Sequence, residues 1–291
     1  MQQLRYEAVD PVDNRARQLI REIDEYTLSV YPGMPTYGIE VGSFAASGGI
    51  FLLLYAGDAL AGCGALRHLD DGTIEVKRMF IREEFRRRGL ARRLLEKLEQ
   101  TAGETGANIM RIETGDAQPQ ALALYRSAGY ADVARYGAYV ENPQSICLAK
   151  PLPDDAGDAF LRAFEDCSLP EAAWTHTAHV WLAWLCLTRA AAAPALQRIR
   201  EGISRYNTRV LKRPHKYHET VTVAFTRIVA SRIDPLQNWE EFQRGIADIL
   251  DPDQAILRRY YSEELLISAA ARERFVEPDL AALPAFGAGP D

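Results

Sequence analysis

One stretch constrains this chain more than any other. Thr73-Ile-Glu-Val-Lys-Arg-Met-Phe-Ile81 reads as a strand, and it runs through Arg86-x-x-Gly89-x-Ala91 straight into a helix striped by Leu90, Leu94, Leu95 and Leu98. A loop between a strand and a helix N-terminus gathers backbone N–H groups that favour a phosphate. Glycine at 89 lets the backbone approach such a ligand closely, and alanine at 91 keeps bulk out of the way. Arg86, Arg87 and Arg88 add positive charge. Read alone, R-x-x-G-x-A fits a solvated basic loop ahead of a surface helix equally well.

The surroundings of that stretch are those of an α/β domain. Asn14 to Tyr26 has amphipathic helical spacing. GIFLLLYA, LAGCGALRHL and TIEVKRMFI are strands separated by turns at Ala56-Gly57-Asp58 and Asp70-Asp71-Gly72. Gly103 to Gly106 close the leucine-striped helix. ANIMRIET is a further strand, PQALALYRSAG a short helix, and SICLAK a last strand. PLPDDAGD, residues 151–158, is the best linker candidate. Beyond it the patterns are helical, over about 158–167, 171–191, 194–207, 217–233, 238–249 and 253–275. The expected division is 1–152 and 153–291, in keeping with a chain of 291 residues and roughly 150 per domain.

Composition narrows the function classes. Hydrophobic residues at 47% and charged residues at 25% suit a globular protein and exclude disorder or a coiled coil as the main architecture. The longest apolar stretch, Trp174 to Leu187, is too short to span a bilayer, and the N-terminus lacks a signal-peptide layout, so a cytoplasmic protein without a membrane partner is expected. A net charge of −6 argues against a nucleic-acid partner. Cys63, Cys147, Cys167 and Cys186 show no CxxC spacing.

Residues 1 to about 150 resemble the GNAT superfamily of acetyl-CoA-dependent N-acyltransferases. The resemblance rests on VKRMFI followed by Arg86-x-x-Gly89-x-Ala91, on IMRIETG, and on Ala121-Leu-Ala-Leu-Tyr125-Arg-Ser-Ala-Gly129-Tyr130. It implies a mixed central sheet with flanking helices, followed here by an all-α domain. It also implies that acetyl-CoA is the co-substrate. The amides from Arg87 through Gly89, Leu90 and Ala91 to Arg92 would hold the pyrophosphate beside Arg86, and Met79, Phe80 and Ile81 the pantetheine arm. Tyr125 is the implied acid for the departing thiolate, and the N–H at Met79 would meet the oxyanion.

An attacking amine needs a base within hydrogen-bond or single-water reach. Glu75, at the start of the central strand, is the expected base, with Glu113 the competitor; Glu75 is equally a strand-end residue paired with Lys77 or Arg111. Tyr125 is otherwise a core tyrosine. Tyr31 and Tyr37, in a Pro/Gly-rich loop, either line the acceptor pocket or pack the loop down. Cys63 is expected to be buried core.

In the helical half, His176 and His179 share a helix face, and His218 with Glu219 opens a later helix. With Glu165 or Glu219 these three histidines would suit a divalent metal such as zinc or iron, or an acidic small molecule. A buried polar network is the alternative. HETVT is not HExxH, because Thr222 stands where a second histidine is required. Arg209, Lys212, Arg213 and Lys216 form either an anion site or a solvated basic loop. This half resembles a small helical domain of bacterial hypothetical proteins through Trp174-Thr-His176-x-x-His179 and Tyr217-His218-Glu219-Thr220, and that resemblance carries no activity.

Two functions are therefore expected. One is an N-acetyltransferase acting on an amine of a small molecule or protein by direct attack in a ternary complex. The other is a non-catalytic acyl-CoA sensor whose helical half binds a metal or metabolite. A homodimer is an open expectation.

Overall fold

Asp13 starts the first helix by accepting a hydrogen bond from the Arg15 N–H, and the apolar run after Gly49 starts the sheet's interior. The computed structural model describes residues 3–33, 44, 48–152 and 154–286. The chain forms two compact units, Met1–Arg126 with Ala131–Leu152, and Pro153–Asp291 with Ser127–Tyr130.

The first unit holds β1 (Leu4–Val9), α1 (Asn14–Val30), β2 (Ile50–Ala56), β3 (Ala59–His68) and β4 (Ile74–Ile81). These are followed by α2 (Leu90–Glu104), β5 (Ile109–Gly115), α3 (Pro119–Ser127), β6 (Ala131–Val133) and β7 (Ser145–Pro151). Its seven-stranded sheet runs β1-β2-β3-β4-β5-β7-β6. Among the described residues only β4 and β5 pair in parallel, across α2. Leu90, Leu94, Leu95 and Leu98 are all buried, so the stripe that defines α2 in sequence is its core face. Ala16, Leu19 and Ile23 of α1 pack with Phe51, Leu53, Tyr55, Cys63 and Ala65. Cys63 is fully buried, and burial pushes its thiol well above the usual range, so it is a core residue.

Two irregularities shape the middle of this sheet. Ala65 pairs with Lys77 but Cys63 pairs with Phe80, so Arg78 and Met79 together oppose Gly64. This is a β-bulge, and Arg78 adopts a left-handed φ of 54° to make it. On the other edge, β4 and β5 pair only from Ile74↔Met110 to Val76↔Ile112. From Lys77 onward the two strands diverge, and the residues that follow on each strand face a cleft between them.

The second unit is helical: α4 (Asp155–Glu165), α5 (His176–Leu187), α6 (Ala192–Arg209), α7 (Glu219–Ala230), α8 (Trp239–Arg244), α9 (Glu263–Ile267) and α10 (Ala269–Glu273). Its core is strongly aromatic. Phe160 stacks on Trp181 at 4.6 Å and Phe164 on Trp174 at 4.7 Å between centroids. Tyr206, fully buried, donates to the Leu169 carbonyl at 2.7 Å. The single helix expected over 171–191 is instead a 3₁₀ turn, Glu171–Ala173, then α5, because the Thr175 hydroxyl caps α5 by accepting from Ala178 N–H. The stretch expected as one helix over 253–275 breaks in the same way, with Ser262 capping α9 and Ser268 capping α10.

Candidate active site

Two recesses of the first unit share a wall made by Tyr26, Met79, Phe80, Gln118 and Tyr125. The first is a groove along the start of α2, lined by Met79, Phe80 and Ile81 of β4 and by Arg86 to Arg92 apart from Arg88. Gly89 is the N-cap of α2 at φ 76°, a left-handed conformation, and it offers no capping side chain. The first N–H groups of a helix have no acceptors within it, and the helix dipole adds positive potential there. Arg87 is also left-handed at φ 61°, which turns the loop tightly. Arg86 spends its guanidinium on the protein, donating from Nε to the Ile81 carbonyl at 2.9 Å and lying over the Tyr26 ring. Arg88 likewise donates to the Glu84 carbonyl at 2.7 Å. These two arginines brace the loop, while Arg87 and Arg92 also line the groove.

The second recess is a cavity of about 180 Å³ between α1 and the diverging strands. Lys77 and Met79 of β4, Glu113 of β5, and Asp24 and Tyr31 of α1 and its C-cap stand in its wall. Asp24 is ion-paired with Arg78. Tyr31 accepts a hydrogen bond from the Ala117 N–H at 2.9 Å and lies against Gly115. A Cβ at Gly115 would overlap the Tyr31 hydroxyl. Gly115→Ala is therefore expected to displace Tyr31 and cost about 1–3 kcal/mol of stability, read as a fall in denaturation midpoint. An unchanged midpoint would show that this wall is soft. Tyr37 lies outside the described residues.

Tyr125, on α3, lines both recesses. It is 6% exposed, and its hydroxyl lies 3.8 Å from the Met79 Sδ. Burial, assisted by the charge of Glu113, pushes its phenol well above the usual range, so the proton stays on the oxygen at neutral pH.

The two carboxylates expected to compete for the base are placed very differently. Glu75 is fully buried and is not part of the cavity wall. Its Oε2 accepts from Arg67 at 2.5 Å, and its Oε1 accepts from the hydroxyls of Tyr136 at 3.0 Å and Tyr139 at 2.7 Å. The expected pairing with Lys77 or Arg111 is not made directly: Lys77 donates to Tyr139, and Arg111 pairs with Asp71. Glu113 opens onto the cavity and accepts one hydrogen bond, from the Ser145 hydroxyl at 2.5 Å. Desolvation raises the pKa of Glu113.

The sequence of residues 17–130 matches the model of the Acetyltransferase (GNAT) family. An IAA acetyltransferase of Azospirillum brasilense is 35% identical over 143 residues, spanning 49% of this chain and 94% of that protein. The chain belongs to the GNAT acetyltransferase family. The uncharacterized N-acetyltransferase YsnE of Bacillus subtilis is 30% identical, over 48% of this chain and 96% of its own. A solved structure of a putative acyl-CoA N-acyltransferase from Klebsiella pneumoniae is 27% identical and covers 52% of this chain and 98% of that one, at a TM-score of 0.44.

This GNAT acyltransferase carries its helical half as a separate unit, and the histidines there have partners of their own. His176 donates from Nε2 to the Ile249 carbonyl at 2.8 Å. His179 donates from Nδ1 to the Thr175 carbonyl at 2.7 Å and lies 3.9 Å from the Trp174 ring centroid, where burial pulls its pKa down to about 4. His218 caps α7, accepting at Nδ1 from the Val221 N–H and donating from Nε2 to the Leu266 carbonyl at 2.9 Å. Glu165 pairs with Arg198 and Glu219 with Arg200. The metal set expected from His176, His179 and His218 is thus not assembled: among the described residues no three His, Cys, Asp or Glu side chains are grouped for a metal. Spacing along a helix brought the imidazoles near in sequence, but each turns to a different carbonyl.

Several site residues lie beyond what the sequence reading named. The sequence offers Lys77 only as a partner for Glu75, and Tyr136 and Tyr139 come from an irregular segment without periodicity. The alternation of Glu75, Lys77 and Met79 along one strand was the signal that would have found Lys77.

Proposed function

We propose that this protein transfers an acetyl group from acetyl-CoA to a primary amine by direct attack within a ternary complex. The observation that carries this reading is the position of Tyr125, in the wall of both the loop-side groove and the cavity that holds Glu113. A binding protein would need the groove alone. The loop suits the donor: backbone N–H groups at the start of α2, opened by the left-handed Gly89, match a diphosphate. The β4 edge from Met79 to Ile81 is the place for the pantetheine amides. The donor supplies an activated thioester carbonyl.

In this reading Glu113, and not the expected Glu75, is the base. Glu113 accepts a proton from the substrate ammonium, directly or through one water. The amine nitrogen then attacks the thioester carbonyl, whose oxygen is met by a β4 backbone N–H near the bulge at Arg78 and Met79. As the carbon–sulfur bond breaks, Tyr125 gives its proton to the thiolate, and the second proton that the attacking nitrogen sheds on becoming an amide restores Tyr125 through solvent. The products are an amide, CoA thiol and one proton, released from Glu113. Glu75 acts as a positioning residue that anchors Tyr136 and Tyr139 over the β4 surface. The helical unit is proposed as an accessory domain.

The test is an acetyl-transfer assay over a panel of primary amines, with kcat/KM followed against pH. Because Glu113 must be ionised to work, kcat/KM rises with pH through its raised pKa, and activity is lost on the acid side. Glu113→Gln is expected to lower kcat by about 10²-fold or more and to remove that acid limb. A Glu113→Gln enzyme with the wild-type profile would return the base role to another group.

A further inference from the structure

Four charged side chains stand in the cavity wall, and they do not balance in the same way. Asp24 and Arg78 neutralise each other as an ion pair. Lys77 and Glu113 do not. Lys77, only 8% exposed, donates from Nζ to the Tyr139 hydroxyl at 2.5 Å, and that hydroxyl passes its own proton on to Glu75. Glu113 leans the opposite way, toward the Ser145 hydroxyl of β7. Each of the two ions is thus satisfied by a neutral hydroxyl.

The register explains how they come to be held apart. The last parallel pair is Val76↔Ile112, so Lys77 and Glu113 are the next residues on two strands that then diverge. They occupy neighbouring positions on the two strands with opposite charges, Lys77 bound to the Tyr139 hydroxyl and Glu113 to the Ser145 hydroxyl. Glu75 is no substitute partner for Lys77, since its second oxygen is bound by Arg67. Buried charges are ordinarily paired or fully hydrogen-bonded. An ammonium with one hydroxyl acceptor and a carboxylate with one hydroxyl donor, across a small space, present a complementary pair of charges to a ligand.

We infer that the acceptor is a small amino acid, with its carboxylate held by Lys77 and its amino group delivered to Glu113. This rests on the acetyl-transfer reading above and names the substrate class of that site. The cavity is of a suitable scale: 180 Å³ is below the roughly 300–1,000 Å³ of sites for drug-sized ligands. The electrostatics of the reaction fit as well. The zwitterion enters with no net charge, its ammonium gives a proton to Glu113, and the N-acetyl product leaves as an anion with its carboxylate unchanged. Lys77 holds the same group before and after the transfer, so it anchors the substrate and takes no part in the bond changes. Tyr139 fixes Lys77 in place through the hydrogen bond that Glu75 completes, which gives the sealed Glu75 cluster a purpose in recognition.

The experiment compares acids with their own amides. Alanine, serine, aspartate, glutamate, methionine and phenylalanine are assayed beside the corresponding amino acid amides, with acetyl-CoA as donor and the N-acetyl product identified by mass spectrometry. The amides keep the amine and the side chain and lose only the negative charge. For the best substrate the free acid should exceed its amide in kcat/KM by about 10- to 100-fold, the range for one charged hydrogen bond, and chiefly through KM. Lys77→Met should bring that ratio to within about threefold of one, while Lys77→Arg should keep a preference for the acid. Equal or faster acetylation of the amides by the wild-type protein overturns the inference while leaving the transferase intact, and so does an acid preference that survives in Lys77→Met. The wild-type ratio needs no variant to fold. If neither series is acetylated, the amino acid acceptor is overturned, and calorimetric titration of acetyl-CoA into the same protein decides whether the donor site falls with it.

Discussion

Gly89→Glu is expected to abolish acetyl-CoA binding, with affinity falling by more than about 100-fold in a calorimetric titration. Two effects combine. At φ 76° any side chain other than glycine is strained, at a cost of about 1–2 kcal/mol. That alone accounts for roughly tenfold if the loop relaxes. The rest comes from charge, because a carboxylate at the start of α2 competes for the N–H groups proposed to hold the diphosphate and repels it. A Cβ at residue 89 meets no protein atom within 4 Å, so the fold itself should survive. Gly89→Ala isolates the backbone cost and should lose about tenfold or less. If Gly89→Glu binds within threefold of the wild type, the loop is not the donor site.

Tyr125→Phe should separate binding from chemistry. The hydroxyl lies near the Met79 sulfur, a weak acceptor, and burial keeps its proton in place. The hydroxyl therefore carries a proton at neutral pH in the wall of both recesses, as a general acid for the departing thiolate must. Removing the hydroxyl should lower kcat by about 10²- to 10³-fold, within the range for general acid catalysis, while the dissociation constant for acetyl-CoA stays within about threefold. The side chain's volume and packing are preserved, so the melting temperature should move little. A comparable loss in affinity would make Tyr125 a wall of the groove and nothing more.

Much of the first unit could be read from the chain. The apolar runs of β2 and β3 and the leucine stripe of α2 encode burial directly, because their period is set by which face is covered. β1 was not seen. It is an edge strand, half exposed, and LRYEAV lacks an apolar run. β6 has three residues and no pattern at all. The groove was legible because its chemistry is local: a glycine, a helix start and a loop of fixed spacing. The cavity was not, because it depends on which strands part company and where. Glu75 and Glu113 look alike in sequence, each an acidic residue on a strand beside Lys77 or Arg111. Only the assembled sheet gives Glu75 three donors from Arg67, Tyr136 and Tyr139 and leaves Glu113 with one. The histidines mislead for the related reason that spacing fixes a helix face but not the carbonyl each ring will find.

The bulge in β4 amounts to one extra codon. Before it, Lys77 pairs with Ala65; after it, Phe80 pairs with Cys63. Loss of the single codon for Arg78 would restore an unbroken ladder, with every later residue of the strand still facing its old partner on β3. Such a deletion would also remove the ion pair to Asp24 and close the kink beside Met79. The sheet would tolerate the frame-preserving loss, while the meeting point of groove and cavity would not. Three nucleotides therefore separate a strand that only builds the sheet from one that also makes room for a reaction.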